Sequence, residues 1–223
     1  MRAPLAVFLV VAAVSTARAE EPAEPKPFTV CVQTLGSHHA NLVPVIRRGI
    51  ETLYGVRTEL LAHRGLPKSA YYKPRRRYRA EKLLDFIDKH VVPKHRECNR
   101  IIAFTRLDIS TSKPPHRDWG IFGLATLDGP SGVVSTFRLR RRARRTLLAK
   151  RAVKVVNHEL GHTLGAPHVS ELGCLMEDGA GTIKTVDRET GLLCDLSRRI
   201  IETRSKIKLP KLERFNWRSV LRP

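Results

Sequence analysis

The sequence predicts an α/β fold built on a mixed, mainly parallel sheet. Three observations carry that expectation. Strand-like and helix-like segments alternate through the first two thirds of the chain, the order that produces crossover helices between parallel strands. The run RIIAFT at 100–105 is apolar enough for a buried central strand. The composition, 42% hydrophobic and 28% charged over 223 residues, is that of a globular chain with a sizeable core, in one domain or one domain with a small subdomain. Whole-chain disorder and collagen-like or coiled-coil architectures are excluded on the same grounds.

Taken in order, residues 28–35 (FTVCVQTL) are β-branched and aromatic and predict the first strand. Residues 41–54 carry Leu42, Val45, Ile46, Ile50 and Leu53 at helical spacing and stop at Gly55, which predicts an amphipathic helix. Residues 56–61 predict a second strand. The basic, proline-interrupted stretch 64–79 (RGLPKSAYYKPRRRYR) reads as a loop. A helix follows over 80–92, with Leu83, Leu84, Phe86 and Ile87 ahead of Pro93, and then the strand at 100–105. SKPPHRDWG (112–120) reads as another loop. Two short strands at 121–126 and 133–139 flank the turn residues Asp128-Gly129. Residues 141–164 read as one long helix with Leu147, Leu148, Ala152, Val155, Val156 and Leu160 along one side. The remainder is loop-rich up to a helix near 193–206.

The first nineteen residues, MRAPLAVFLVVAAVSTARA, have a basic start, an apolar run and a small-x-small ending at Ala17-Arg18-Ala19. This is the layout of a secretory signal peptide, too short to span a bilayer comfortably; an uncleaved anchor is the alternative. No later segment predicts a membrane span. Residues 20–27 (EEPAEPKP) read as a solvated leader. The chain is therefore expected to be exported, periplasmic or extracellular, where thiols oxidise. Cys31, Cys98, Cys174 and Cys194 are even in number and allow two disulfides in three pairings. The net charge is +20, and removal of 1–19 takes Arg2 and Arg18 and leaves +18. Such a balance predicts attraction to anionic surfaces or acidic substrates and says nothing about fold.

The chemistry sits in HELGHTLGAPH. His158-Glu159-x-x-His162 falls in the second half of the long helix, where a spacing of four stacks both imidazoles on one face. Two rings can converge on one cation while Glu159 reaches a water on it without ligating, the arrangement of zinc peptidases. Gly165 and His168 extend the motif to HExxHxxGxxH. In a chain of this composition the full frame arises by chance with a probability of about 5 in 100,000. Glycine at 165 can take a positive φ and end the helix, so the chain doubles back and brings His168 in as third ligand. Three histidines leave one position open on a tetrahedral zinc, which marks a catalytic site. The expected reaction is peptide-bond hydrolysis by a zinc-activated water, with Glu159 as general base. The bland alternative is a pair of surface histidines and an ordinary helix stop.

With its downstream methionine, the motif resembles those of the metzincin clan, and most closely the archaemetzincins, peptidase family M54. In that family the third histidine is followed by Cys, four residues, Cys, one residue and Met, and after seventeen more residues by CxxC. Here His168 is followed by Val169, then SELG, Cys174, Leu175 and Met176; residues 177–193 intervene before Cys194, Asp195, Leu196 and Ser197. The segments WGIFGLA (119–125) and VVSTFRL (133–139) are also similar to the family's strands ahead of the active helix, and the likeness covers about residues 28–205. It implies a metzincin-like zincin fold: a twisted, mixed, mainly parallel sheet, a long active-site helix, and a catalytic domain over 28–223 divided into an N-terminal subdomain (28–165) and a small C-terminal one (166–223). It implies a zinc metallopeptidase in which His158, His162 and His168 bind one catalytic zinc, Glu159 is the base, and Met176 is the Met-turn residue beneath the metal. The family's second, structural zinc uses four cysteines at positions matching 169, 174, 194 and 197. Val169 and Ser197 replace the outer two, so this second ion is expected to be absent, and a Cys174–Cys194 disulfide is expected in its place. Cys31–Cys98 pairing and two buried free thiols remain equal alternatives.

The same resemblance makes the strand at 121–125 the upper rim of the cleft, with Gly123, Leu124 and Ala125 pairing with substrate as an added strand and Gly120 and Gly123 permitting close backbone approach. The partner expected is thus a peptide or protein, acidic by the charge argument. The basic runs around Arg75–Arg77 and RLRRRARR (138–145) read as a solvated face or as contacts to anionic envelope polymers, with nucleic acid the least favoured. A catalytically weak, zinc-containing binding protein for anionic envelope material is the alternative function. The six other histidines show no ligand spacing.

Overall fold

The computed structural model describes residues 26–179 and 181–222. The expected signal peptide at 1–19 and most of the leader at 20–27 lie outside them. From its N-terminal end the chain forms β1 (Thr29–Thr34), α1 (Val43–Tyr54), β2 (Arg57–Leu60), β3 (Tyr71–Tyr72), β4 (Arg77–Arg79), α2 (Ala80–His90), β5 (Arg100–Thr105), β6 (Ile109–Lys113), β7 (His116–Ile121), β8 (Gly123–Ala125) and β9 (Ser131–Ser135). Then follow α3 (Arg145–Thr163), α4 (Ile183–Arg188), α5 (Asp195–Ser205) and α6 (Trp217–Val220). The main sheet has the order β2-β1-β5-β9-β8. Its first four strands run parallel and β8 is antiparallel to β9. No helix among the described residues is long and apolar enough to cross a membrane.

Period-2 alternation divides the core into two layers. Val30 and Val32 of β1, Ile102 and Phe104 of β5 and Val134 of β9 face the layer that holds α1 and α3. Cys31, Ile101, Ala103 and Val133 face the opposite layer, with Leu83, Leu84 and Ile87 of α2. Helices therefore cover both faces of a largely parallel sheet, as such sheets require. Buried residues of the C-terminal segment, among them Leu175, Met176, Ile201, Phe215 and Val220, belong to the same cluster as α1 and α3. Arg48 of α1 donates to the carbonyl of Val220 at 3.0 Å.

Helix α3 is buried on nearly every side because the sheet lies on one flank and the C-terminal segment on the other. Twelve of its nineteen residues are buried, Arg151, Lys154, Asn157 and Glu159 among them. Charge there survives only with partners. Arg151 grips Asp187 with two bonds of 2.7 Å and gives Nη1 to the carbonyls of Leu139 and Arg141 at 2.8 Å each. Lys154 Nζ donates to the carbonyls of Val186 and Asp187 at 2.8 and 3.3 Å.

Three sequence expectations are corrected. The stretch 64–79 is not a plain loop: it contributes β3 and β4 to a second sheet ordered β3-β4-β6-β7. Nor is 112–120 a loop. It belongs mostly to the β6–β7 hairpin, and the prolines that argued against strand, Pro114 and Pro115, occupy the turn, where no ladder donor is needed. The strand expected at 121–126 is divided between two sheets, with Ile121 ending β7 and Gly123 opening β8. The helices α4 and α6 were not expected.

Gly49 of α1 packs against α3, where an added Cβ would lie 2.5 Å from Val153 Cγ1. The substitution Gly49→Ala is predicted to destabilise the fold by about 1–3 kcal/mol through overpacking. A lower urea midpoint checks this, and Val153→Ala in the same chain should restore part of the loss.

Candidate metal centre

The site is assembled by the end of α3 and the turn that follows. Gly165 has φ +90°. Its N–H bonds to the His162 carbonyl at 2.9 Å and the Ala166 N–H bonds to the Gly161 carbonyl at 3.0 Å. This is a Schellman termination, and it needs a residue that tolerates left-handed backbone. The reversal points the Ala166 carbonyl back at the helix, where it accepts from His162 Nδ1 at 2.8 Å. The Leu175 carbonyl, one residue before Met176, accepts from His158 Nδ1 at 2.7 Å. His168 arrives beyond Pro167 and is held by pairing of Val169 with the returning strand: Val169 N–H to Met176 O at 2.9 Å and Asp178 N–H to Val169 O at 3.2 Å.

The three histidines meet. His168 Nε2 lies 3.1 Å from Nε2 of His158 and 3.1 Å from Nε2 of His162. A carbonyl oxygen can only accept, so the Nδ1 atoms of His158 and His162 carry the protons and their Nε2 lone pairs face inward. Two inward lone pairs with a third imidazole nitrogen at this distance form a donor set that fits a metal. Burial, reinforced by the neighbouring histidines, lowers the His158 ring to about 3; burial likewise lowers His162 to about 4. Both rings are therefore neutral at ordinary pH and able to ligate a metal. Three nitrogens with one open side suit zinc.

Glu159 is 6% exposed and burial pushes its carboxyl up to about 8. It lies against Gly123, where a Cβ would sit 2.7 Å from Glu159 Cδ. The bare backbone of β8 thus makes room for Glu159. Gly120 does the same for the guanidinium of Arg138, which is paired with Asp108 at 2.8 and 3.0 Å. The close approaches these two glycines permit in the structure are to side chains of the chain itself. Among the described residues no strand lies beside the outer edge of β8, and Gly123, Leu124 and Ala125 line a cavity of about 470 Å³ together with the triad and Glu159. Met176 is fully buried, and a Cβ on Gly161, next to His162 on the helix, would meet its Sδ at 2.6 Å.

The model of Peptidase family M54 matches residues 41–203. The chain belongs to this family. The archaemetzincin of Halobacterium salinarum is 30% identical over 160 residues, covering 68% of this chain and 87% of that one. The crystal structure of the archaemetzincin of Methanopyrus kandleri matches with a TM-score of 0.70 at 25% identity, covering 83% of this chain and 99% of that one. For the archaemetzincin of Archaeoglobus fulgidus the TM-score is 0.67 at 26% identity, over 78% and 99% of the two chains. This M54 chain is accordingly a zinc metallopeptidase with a zincin-like fold.

The cysteines of this archaemetzincin relative are all paired. Cys174 and Cys194 form a disulfide with Cα atoms 5.3 Å apart, and Cys31 and Cys98 form another at 5.6 Å. Ser197 Oγ lies 3.3 Å from Cys194 Sγ and 3.9 Å from Cys174 Sγ. Three of the four positions that matched the family's structural zinc thus gather at one point. A second group of metal-ligand type, His95, Glu97 and Cys98, has its sulfur in the other disulfide.

Sequence reasoning missed the carbonyls of Leu175 and Ala166, which carry no side-chain signal. It also missed Tyr54, whose hydroxyl donates to the Asn157 carbonyl at 2.6 Å beneath the active helix, and Glu189, which lines the cavity.

Gly165→Ala is predicted to cost roughly 1–2 kcal/mol for the forced left-handed residue, with a further penalty from Arg204, which fills the space a Cβ needs. Because the Ala166 carbonyl orients His162, zinc affinity should fall about 10–100-fold, measured by chelator competition. Denatured but unreduced protein should titrate with no free thiol and reduced protein with all four cysteines.

Proposed function

We propose that the protein hydrolyses peptide bonds at a single catalytic zinc held by His158, His162 and His168, with Glu159 as general base and Met176 as the packing residue below. The observation that carries this reading is the convergence of three imidazoles, with His168 Nε2 3.1 Å from Nε2 of both His158 and His162, beside a buried Glu159 and at the rim of a cavity bordered by a strand edge unpaired among the described residues. When bound, zinc supplies Lewis acidity, lowering the pKa of a water and polarising a carbonyl. The chain's own part follows from its geometry. The carbonyls of Leu175 and Ala166 hold two of the rings in the ligating tautomer. Gly123, Leu124 and Ala125 offer backbone groups on which an extended peptide can pair, which aligns its carbonyl over the triad. Glu159 takes a proton at its carboxylate and returns it to the leaving amine.

Glu159 serves as base only when ionised. Its folded pKa is raised by burial, so activity should fall as pH drops through that value. A divalent charge beside it draws the value below 8, so the acid limb should lie under pH 8.

Two further readings belong to the same proposal. A Cys174–Cys194 disulfide in place of a structural zinc is supported by the engagement of both sulfurs with each other and by Val169 and Ser197 at the remaining family positions. Export to the periplasm or outside the cell is supported by the signal-like residues 1–19 and by two disulfides with no free cysteine among the described residues. Contact with anionic envelope polymers rests on the charge of +20 alone.

Glu159→Gln is predicted to lower kcat/KM on a peptide library by about 10²–10⁴-fold with zinc content unchanged. Equal activity in the variant would remove Glu159 from the mechanism. Retained zinc with no cleavage by either protein would favour the binding-protein alternative.

A further inference from the structure

One wall of the cavity is not used by the hydrolytic chemistry. It is formed after Met176 by Glu177, Asp178, Val186 and Glu189, facing apolar residues such as Trp119 and Phe122. Glu177 is engaged, accepting from the Gly173 N–H at 2.9 Å and pairing with Arg188. Glu189 is different. It is 6% exposed, yet among the described residues no hydrogen bond and no ion pair within 4.0 Å engages its carboxylate. Lys154, whose charge it feels, turns its ammonium to the carbonyls of Val186 and Asp187. Burial pushes the Glu189 carboxyl up to about 8 against the pull of Lys154, with Glu177 adding to the rise. The residue is buried, but its carboxylate oxygens open onto the cavity, where an entering cationic group can take up their free acceptor capacity.

We propose that Glu189 is a specificity residue that selects a lysine or arginine side chain at the substrate position adjoining the scissile bond. This rests on the hydrolytic reading of the triad and Glu159. The cavity, about 470 Å³, has room for a long side chain. Its apolar faces take the methylene stem and Glu189 takes the cationic head, the division that lysine and arginine are built for. An acidic side chain meets three carboxylates on this wall. An aliphatic one leaves Glu189 without a partner. The wall is thus opposite in sign to the chain as a whole, whose net charge of +20 predicts acidic substrates for the outer surface.

Two measurements on zinc-loaded protein test this. Cleavage sites in a peptide library, read by mass spectrometry, should be enriched at least ten-fold in Lys or Arg over Leu at one flanking position. Glu189→Gln should abolish the enrichment through KM, and Glu189→Asp should retain part of it, with zinc content and thermal midpoint unchanged. Calorimetric binding of acetylated Ala-Arg-Ala amide and its Leu and Glu counterparts to the Glu159→Gln protein reads the pocket without turnover. The arginine peptide should bind at least ten-fold tighter than either. Cleavage with no basic preference, a preference that survives Glu189→Gln, or equal or unmeasurable binding of the arginine peptide overturns the inference and leaves hydrolysis standing. Preferential binding of the arginine peptide without cleavage by the wild type overturns hydrolysis and leaves the pocket assignment standing.

Discussion

Two backbone carbonyls govern the site. Leu175 and Ala166 take the Nδ1 protons of His158 and His162, and only then do the opposite nitrogens face one another with lone pairs free. Neither carbonyl lies in regular secondary structure. Ala166 is aimed by the Schellman reversal at Gly165, and Leu175 by the loop that the Cys174–Cys194 disulfide clips to the start of α5. The candidate ligand set is therefore a property of how α3 ends and how the next loop returns, more than of the helix face that displays the first two histidines.

Holding that return loop in place requires buried charge. Helix α3 carries Arg151 and Lys154 inward, and both reach α4, through the Asp187 carboxylate and through backbone carbonyls. These are charge-assisted bonds formed with little water nearby, and they fasten the segment after Met176 to the same helix that supplies the histidines. A sequence that places arginine and lysine among alanines and valines on one helix reads as amphipathic with a polar outer face. In the structure that face is covered.

The catalytic frame and the parallel sheet were legible because each is written locally. HExxHxxGxxH encodes a helix face, a stop and a reversal in eleven residues, and β1 and β5 are short apolar runs that match their observed bounds closely. The second sheet was not legible. Its strands are two to six residues long, arginine-rich and broken by prolines that sit in turns, so local preference argued for loop. Ion pairs that bring Arg77 and Arg79 to Asp118 support that sheet, and such pairs join residues some forty positions apart. The Cys174–Cys194 bridge was foreseen only through the family likeness; spacing alone left three pairings open. Glu189 gave no signal at all, since a lone glutamate acquires meaning only when the fold hides it.

The bond from Arg48 to the Val220 carbonyl spans 172 positions. The layer around α1 is finished by residues from the far end of the chain, and the cluster that contains Ile46 and Leu53 also contains Phe215 and Val220. Closing contacts of such reach is entropically slow. The packing around α1 and α3, the helix that carries His158 and His162, is thus complete only when residues near position 220 have docked.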